Sequence, residues 1–247
     1  MVLLLRLEGV WQSWGERSRW DVRDTGSEPT KSGIIGLLGC ALGYPMHDSR
    51  LENELDAGIR FGVRIESPGR VVQDYQTITG FLPTAGGGYK HSGVSVGKSL
   101  DKLMGNPDVV PATIISPRYY LEDASFLVAL EERAGFDGLF EKLQAALLNP
   151  KWTLYLGRKA CVPTRPIYDP QDQNAYENIE DALRNHPWSW LGGCKMLRSH
   201  PDTLTVITET MDGELRRQDA VRINQARQYG FRNAHRMTVQ TPSGGEG

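Results

Sequence analysis

Residues 29–43 read PTKSGIIGLLGCALG, and the fold turns on whether this stretch is a helix. Thr30 or Ser32 offers a side-chain oxygen to cap a first turn, and Gly43 offers a left-handed stop. The residues between them predict a helix running to about Leu42. Gly33, Gly36 and Gly39 recur at every third position and leave one side bare. Each glycine costs about 1 kcal/mol of helix stability relative to alanine. Three together predict that another backbone approaches that side.

The pattern extends outward in both directions. Upstream, VLLLRLE at 2–8 alternates and predicts a strand. It is followed by the polar loop QSWGERSRWDVRDTGSEP, with Trp14 and Trp20 among Arg17, Arg19 and Arg23. Downstream, a short helix is expected over Asp48–Asp56. The strand IRFGVRIE follows, with Ile59, Phe61, Val63 and Ile65 on one face, and SPGR turns the chain into VVQDYQTIT. Residues 80–111 hold seven glycines and little periodicity, which predicts an arm protruding from a hairpin, since long structureless loops are uncommon in compact domains. ATIISPRYYL and ASFLVAL return as strands around the turn EDA. An amphipathic helix over 137–148 then leads to WTLYL, read as a strand. This order predicts an α+β, ferredoxin-like βαββαβ domain over 1–165 with its arm at about 80–111. A small β-rich C-terminal region is expected over 166–240, with a helix near Ala175–Asn185, a strand at TLTVITE and further strands between Arg216 and Gln240. The tail 241–247, TPSGGEG, is expected to be disordered.

Composition narrows the function classes. The chain has 247 residues, 39% hydrophobic and 23% charged, and no run reaches the roughly 20 apolar residues that span a bilayer. Arg6 and Glu8 interrupt the N-terminal apolar run, which argues against a secretory signal. Cys40, Cys161 and Cys194 are scattered and odd in number, so the expectation is no disulfide framework and a cytoplasmic location. A net charge of −2 does not announce nucleic-acid binding. The distribution says more than the sum. From Asp169 to Glu214 nine acids face three basic residues, whereas Arg216–Arg236 holds six arginines and one acid. No acid occurs between Glu141 and Asp169, while Lys142, Lys151, Arg158, Lys159 and Arg165 do.

The sites of common chemistries fail on spacing. GVSVGKS at 93–99 ends like a phosphate loop but lacks the correct glycine spacing and a preceding buried strand. No Cys or His pair has zinc-ligand spacing, and no dinucleotide fingerprint occurs, so no metal or cofactor is expected. Tyr89, Lys90 and His91 in GGGYKHSG are the one cluster suited to metal-independent acid–base cleavage of RNA. Consecutive strand residues point to opposite faces, however, which works against convergence of all three. YLGRK at 155–159 suggests different chemistry. A strand end that breaks on glycine exposes backbone N–H groups, adjacent cations complete an anion pocket, and Tyr155 adds a stacking surface. A plain turn with two solvated cations fits the same spacing.

Five segments in order, VWQSWG, PTKSGIIGLLGCALG, DYQT at 74–77, YYLEDASFLVAL and YLGRKAC, together resemble the CasD subunit family of the type I-E CRISPR surveillance complex, Cascade, a family within the repeat-associated mysterious protein superfamily. The likeness covers residues 1 to about 165 and beyond that is limited to the segment near INQARQYGFR. It implies an RNA-recognition-like (RRM-like) ferredoxin fold whose arm acts as a thumb. It also implies a non-catalytic role in antiviral defence: binding the 5′ handle of the crRNA beside the backbone subunit and the large subunit, with target DNA contacted only indirectly. By the same likeness Gln12, Trp14, Lys31, Ser32, Tyr75, Tyr155, Arg158 and Lys159 are expected to surround the handle. Relatives in type I-C systems cut RNA, which keeps open the alternative of an endoribonuclease using Tyr89, Lys90 and His91.

Overall fold

The computed structural model describes residues 1–15, 22–83, 88–93, 101, 104–105, 109–189, 201–223 and 229–242, with backbone alone for 82–83 and 90–93. Arg17, Arg19, Trp20, Cys194, residues 94–99 of the phosphate-loop-like stretch and residues 243–247 of the tail lie outside that set. By its contacts the chain divides into two units, one of residues 1–18, 24–72 and 120–247, the other of 19–23 and 73–119.

The first unit is built on a six-stranded sheet. Its strands are β1 (Val2–Glu8), β3 (Ile59–Ser67), β8 (Ser125–Glu132), β9 (Thr203–Glu209), β10 (Leu215–Val221) and β11 (Tyr229–Gln240), in the order β1-β8-β3-β9-β11-β10. The pairings are antiparallel, with Leu4 opposite Ala129 and Val63 opposite Val128 in the centre and Gly62 opposite Thr208 where β9 joins β3. Strand alternation sends Leu3, Leu5, Phe61, Val63, Val128 and Leu130 to one face. There they meet Ile34, Ile35 and Leu38 of α1 (Lys31–Leu42) and Phe140 and Leu143 of α3 (Leu139–Leu148). Leu4, Leu127, Leu204 and Val206 face the other way, onto Ile179, Ala182 and Leu183 of α4 (Ile179–Asn185). Both faces are covered, which is why β1 and β8 read as nearly continuous apolar runs.

Helix α1 ends as its sequence demands. Thr30 caps it by accepting from Gly33 N, and Gly43 closes it at φ 75°. The bare side differs from expectation. The Trp14 ring packs against Gly33, the Leu51 side chain covers Gly39, and nothing lies within 4 Å of a Cβ built at Gly36. Side chains therefore occupy the space assigned to a second backbone. The expected helix at 48–56 is one wide turn, α2 (Leu51–Asp56).

WTLYL is not a strand. Lys151 N and Trp152 N donate to Ala41 O and Cys40 O at the end of α1, and Leu156 N donates to Cys161 O, so 152–156 runs as an irregular connection. Residues 164–173 line the outer edge of β1 instead: Thr164 N donates to Glu8 O, Arg6 N to Ile167 O, and Leu4 N to the Gln173 side chain. Beyond residue 165 the strands β9–β11 continue the same sheet and fall within the same unit. Thr241 N is hydrogen-bonded to Asp202 O.

The second unit is a ribbon. It holds most of β4 (Arg70–Gly80) and β7 (Val109–Glu122), together with β5 (Leu82–Pro83) and β6 (Tyr89–Gly93). β5 pairs with β6, and both β4 and β6 pair with β7. The ribbon begins earlier and ends later than the expected arm at 80–111. A Thr79–Thr113 hydroxyl contact places Tyr75, Thr77, Thr79, Thr113 and Ile115 on one exposed face by alternation.

Candidate nucleic-acid interface

The YLGRK corner is set by one backbone contact. Ser13 N donates to Leu156 O at 3.0 Å, and Gly157 stands at φ 93° with its absent Cβ only 1.8 Å from Ser13 O. Any side chain there would collide with main chain, so glycine is required on both steric and conformational grounds. The loop then closes through Cys161 N to Arg158 O and Leu156 N to Cys161 O, each 2.8 Å. The Cys161 thiol is buried beneath it, and burial pushes its pKa up.

The QSW segment holds this corner from below. Gln12 is fully buried, donates from Nε2 to Leu7 O and Ala124 O at 3.0 and 2.7 Å, and accepts from Trp14 Nε1 at 3.1 Å. β2 (Trp11–Gln12) pairs with the end of β7, where the Trp11 ring stacks on Tyr120 at 4.8 Å. The Arg158 guanidinium lies over the same Tyr120 ring, also at 4.8 Å, and donates to Asp24 O at 3.1 Å. Tyr155 is half-buried and Lys159 exposed. The corner thus presents a guanidinium fixed by a ring and a carbonyl, with an ammonium and a phenol beside it. That arrangement suits phosphate contact plus base stacking.

The expected site residues divide into three groups. Tyr155, Arg158 and Lys159 come together at the corner, with Gln12 and Trp14 as its buried supports. Lys31 is also buried: its Nζ meets Glu209 at 3.1 Å and Asp56 O at 3.0 Å, while Ser32 is half-buried beside Thr30. Tyr75 is exposed on the ribbon of the second unit. Of the other basic residues in the acid-free stretch, Lys142 pairs with Glu54, and Arg165 contacts Glu8 at 3.7 Å and Ser189 Oγ at 3.2 Å. Trp11 and Tyr120 were not among the expected residues. Their signal lay in VWQSWG and RYYLE, but only the sheet brings the two rings together. Tyr89, Lys90 and His91 follow one another on β6.

The comparisons with known proteins agree with this architecture. A family model described as CRISPR-associated protein (Cas_Cas5) matches residues 2–235. The chain belongs to the Cas5 family. Among curated relatives, this Cas5 chain is 33% identical over 174 residues to the CRISPR system Cascade subunit CasD of Escherichia coli (strain K12), covering 67% of the chain and 69% of the relative. Among solved structures, one titled "Crystal structure of Cas protein" superposes with a TM-score of 0.67 at 33% identity, over 99% of both chains. A chain of a "CRISPR RNA-guided surveillance complex" gives 0.69 at 27% identity, over 98% of this Cas5 chain and 91% of that one.

Proposed function

We propose that this chain is the subunit of a CRISPR RNA-guided surveillance complex that binds and caps the 5′ handle of the crRNA without cutting it. The Tyr155–Lys159 corner is the lip of that site. One observation carries the reading: Gly157 pins the loop on the main chain of Ser13, so that Arg158 is held over Tyr120 and Lys159 projects beside it. A guanidinium already ordered on a ring loses less freedom when it meets phosphate. Tyr155 supplies a face for an unpaired base. Gln12 and Trp14 act by fixing the loop, Lys31 by anchoring the start of α1, and Ser32 and Tyr75 add contacts at the margins. Membership of the Cas5 family and the likeness to CasD support the assignment.

In this reading the fold is ferredoxin-like. β1, α1, β3, β8 and α3 supply five of its six elements, and residues 164–173 take the place of the last strand along β1. Residues 1–165 form the RNA-binding part, residues near 80–111 the thumb, and 166–240 a region facing protein partners. Those partners are the backbone and large subunits, target DNA is met only through them, and the location is cytoplasmic. The likeness to a Cascade subunit supports the non-catalytic role.

Arg158→Ala combined with Lys159→Ala tests the site. Handle-RNA binding is expected to weaken, and the slope of log K against log salt to flatten by about 1.4 if two single-strand phosphate contacts are lost. Unchanged affinity and slope in a fluorescence titration would count against the corner. In the same preparation, repeat RNA in chelator is expected to stay intact. A discrete cut lost on His91→Ala would replace this reading with an endoribonuclease.

A further inference from the structure

A cleft of about 540 Å³ opens elsewhere on the first unit, between α2 and the end of the β10–β11 hairpin. Its walls include Lys31, Asp56, Arg133, Glu209, Arg222 and Arg232, with Phe231 also lining it. The carboxylates here are well occupied. Glu209 accepts from Arg133, Lys31 and Phe61 N. Asp56 accepts from Val221 N, and Glu52 from Ile223 N. Asp219, behind the wall, takes both Nε and Nη2 of Arg232 and also Lys31 N.

The cations are less completely matched. Arg232 is 94% buried in its side chain, and its Nη1 has no hydrogen-bond partner among the described residues. Arg222 is 44% exposed; its Nη1 donates to Val221 O at 2.6 Å and lies 3.6 and 3.8 Å from Glu52 and Asp56. Arg133 is 43% exposed. Burial also lifts the Asp56 pKa, which weakens the negative side of the balance. A guanidinium carries five donors, so the unfilled capacity of this cleft is for hydrogen-bond acceptors with negative charge. Phe231, 53% exposed, supplies an apolar rim, with the Arg216 guanidinium 4.0 Å from its ring centroid.

We infer that this cleft receives an aspartate or glutamate side chain of a neighbouring protein subunit, with an adjacent apolar residue resting on Phe231. The inference rests on the proposed membership of a multi-subunit complex. A single carboxylate can meet Arg133 and Arg222 beside the unfilled Nη1 donor of Arg232. A nucleic-acid strand is disfavoured because successive phosphates would face Glu52, Asp56 and Glu209, and Arg216 already occupies a face of the Phe231 ring. Exposed aromatic and arginine side chains around a small pocket are also what protein interfaces use as anchors.

The test places the photo-crosslinker p-benzoylphenylalanine at Phe231 in the purified, RNA-loaded complex. The expected adduct is a peptide of another protein subunit carrying Asp or Glu within a few residues of the attachment point. Adding Arg133→Glu and Arg222→Glu is expected to lower its yield about tenfold, as for reversal of a paired interface charge. The neutral pair Arg133→Gln and Arg222→Gln, checked by thermal melting, is expected to lower it less while leaving the chain folded. Adducts on RNA, adducts confined to this chain, or a protein adduct indifferent to both pairs of substitutions overturn the inference. If such a complex still holds its handle RNA, the handle reading survives that result. Failure of the chain to enter any complex would remove both.

Discussion

Two clusters of arginine in the same unit show how differently one residue type can be used. At the Tyr155–Lys159 corner, Arg158 lies over a ring and donates to a carbonyl, with Lys159 exposed beside it. Under the opposite face of the sheet, Arg64 is fully buried. It donates from Nε and Nη2 to Glu66 Oε1, from Nη1 to Leu183 O and His186 O, and from Nη2 to Pro187 O. Arg6 joins it through Asp172 and Pro187 O, and His186 bridges Asp172 to Tyr176. The inner cluster has most of its donors matched by the chain itself and so clamps residues 172–188 onto the sheet. The outer one stands half-exposed at the surface, with Lys159 exposed beside it, which leaves it accessible to a ligand. Burial, more than residue type, separates the scaffold from the candidate site.

The largest effect that would break this comparison is expected at Arg64→Ala. Glu66 would keep its fully buried carboxylate with Arg6, at 3.5 Å, as its remaining cation among the described residues. Removing one partner of a buried ion pair costs about 3–5 kcal/mol, so the urea midpoint should fall steeply. Handle-RNA affinity, measured below the new unfolding transition, should not change. A small stability loss, or a specific loss of RNA binding, would mean that the inner cluster is not purely structural.

A smaller effect is expected from pH. Burial holds the His186 pKa below its ordinary 6.5, outweighing the pull of Asp172 towards the charged form; Arg6 and Arg64, on the strands beneath it, lower it further. The unfolded chain therefore binds a proton that the folded chain resists. This contribution to stability is complete above about pH 6.5 and is lost progressively as pH falls below it. Asp172 is shifted down by His186 and Arg6, against the effect of burial, and its contribution is lost only in the acid range, below the usual carboxylate value. His186→Gln should flatten the stability profile between pH 6.5 and 5, checked by thermal melts in matched buffers. An unchanged slope would show that His186 binds protons equally in the folded and unfolded chains.

Much of the scaffold could be read locally. The cap at Thr30, the stop at Gly43 and the alternation of VLLLRLE and TLTVITE are signals carried within a few residues, and α1, β1 and β9 follow them. WTLYL misleads because its apolar pattern is right for a strand while the edge it would join is taken by 164–173, a choice made by distant partners. The site was legible to the same degree. A glycine between cations marked the corner, and the close approach to Ser13 justifies that glycine. That Gln12 and Trp14 would turn inward, and that Trp11 and Tyr120 would build the platform, depends on β2 meeting β7. Nothing within either segment encodes that meeting.

The smallest expected effect gives the finest discrimination. Arg165 belongs to the same acid-free stretch as Arg158, although only Arg158 stands at the glycine turn. In the fold the Arg165 guanidinium turns to Glu8 and Ser189 and is only 15% exposed. It therefore resembles the inner cluster although it lies next in line to the outer one. Arg165→Ala should change handle affinity by less than about 0.5 kcal/mol, the range usual for a position outside an interface, and leave the salt slope as it was. Any stability cost should appear as a modest fall in melting temperature through the lost contact to the buried Glu8 carboxylate. If its removal flattens the salt dependence as much as loss of Arg158 does, then burial does not withdraw an arginine from RNA, and the distinction between the two clusters fails at its boundary.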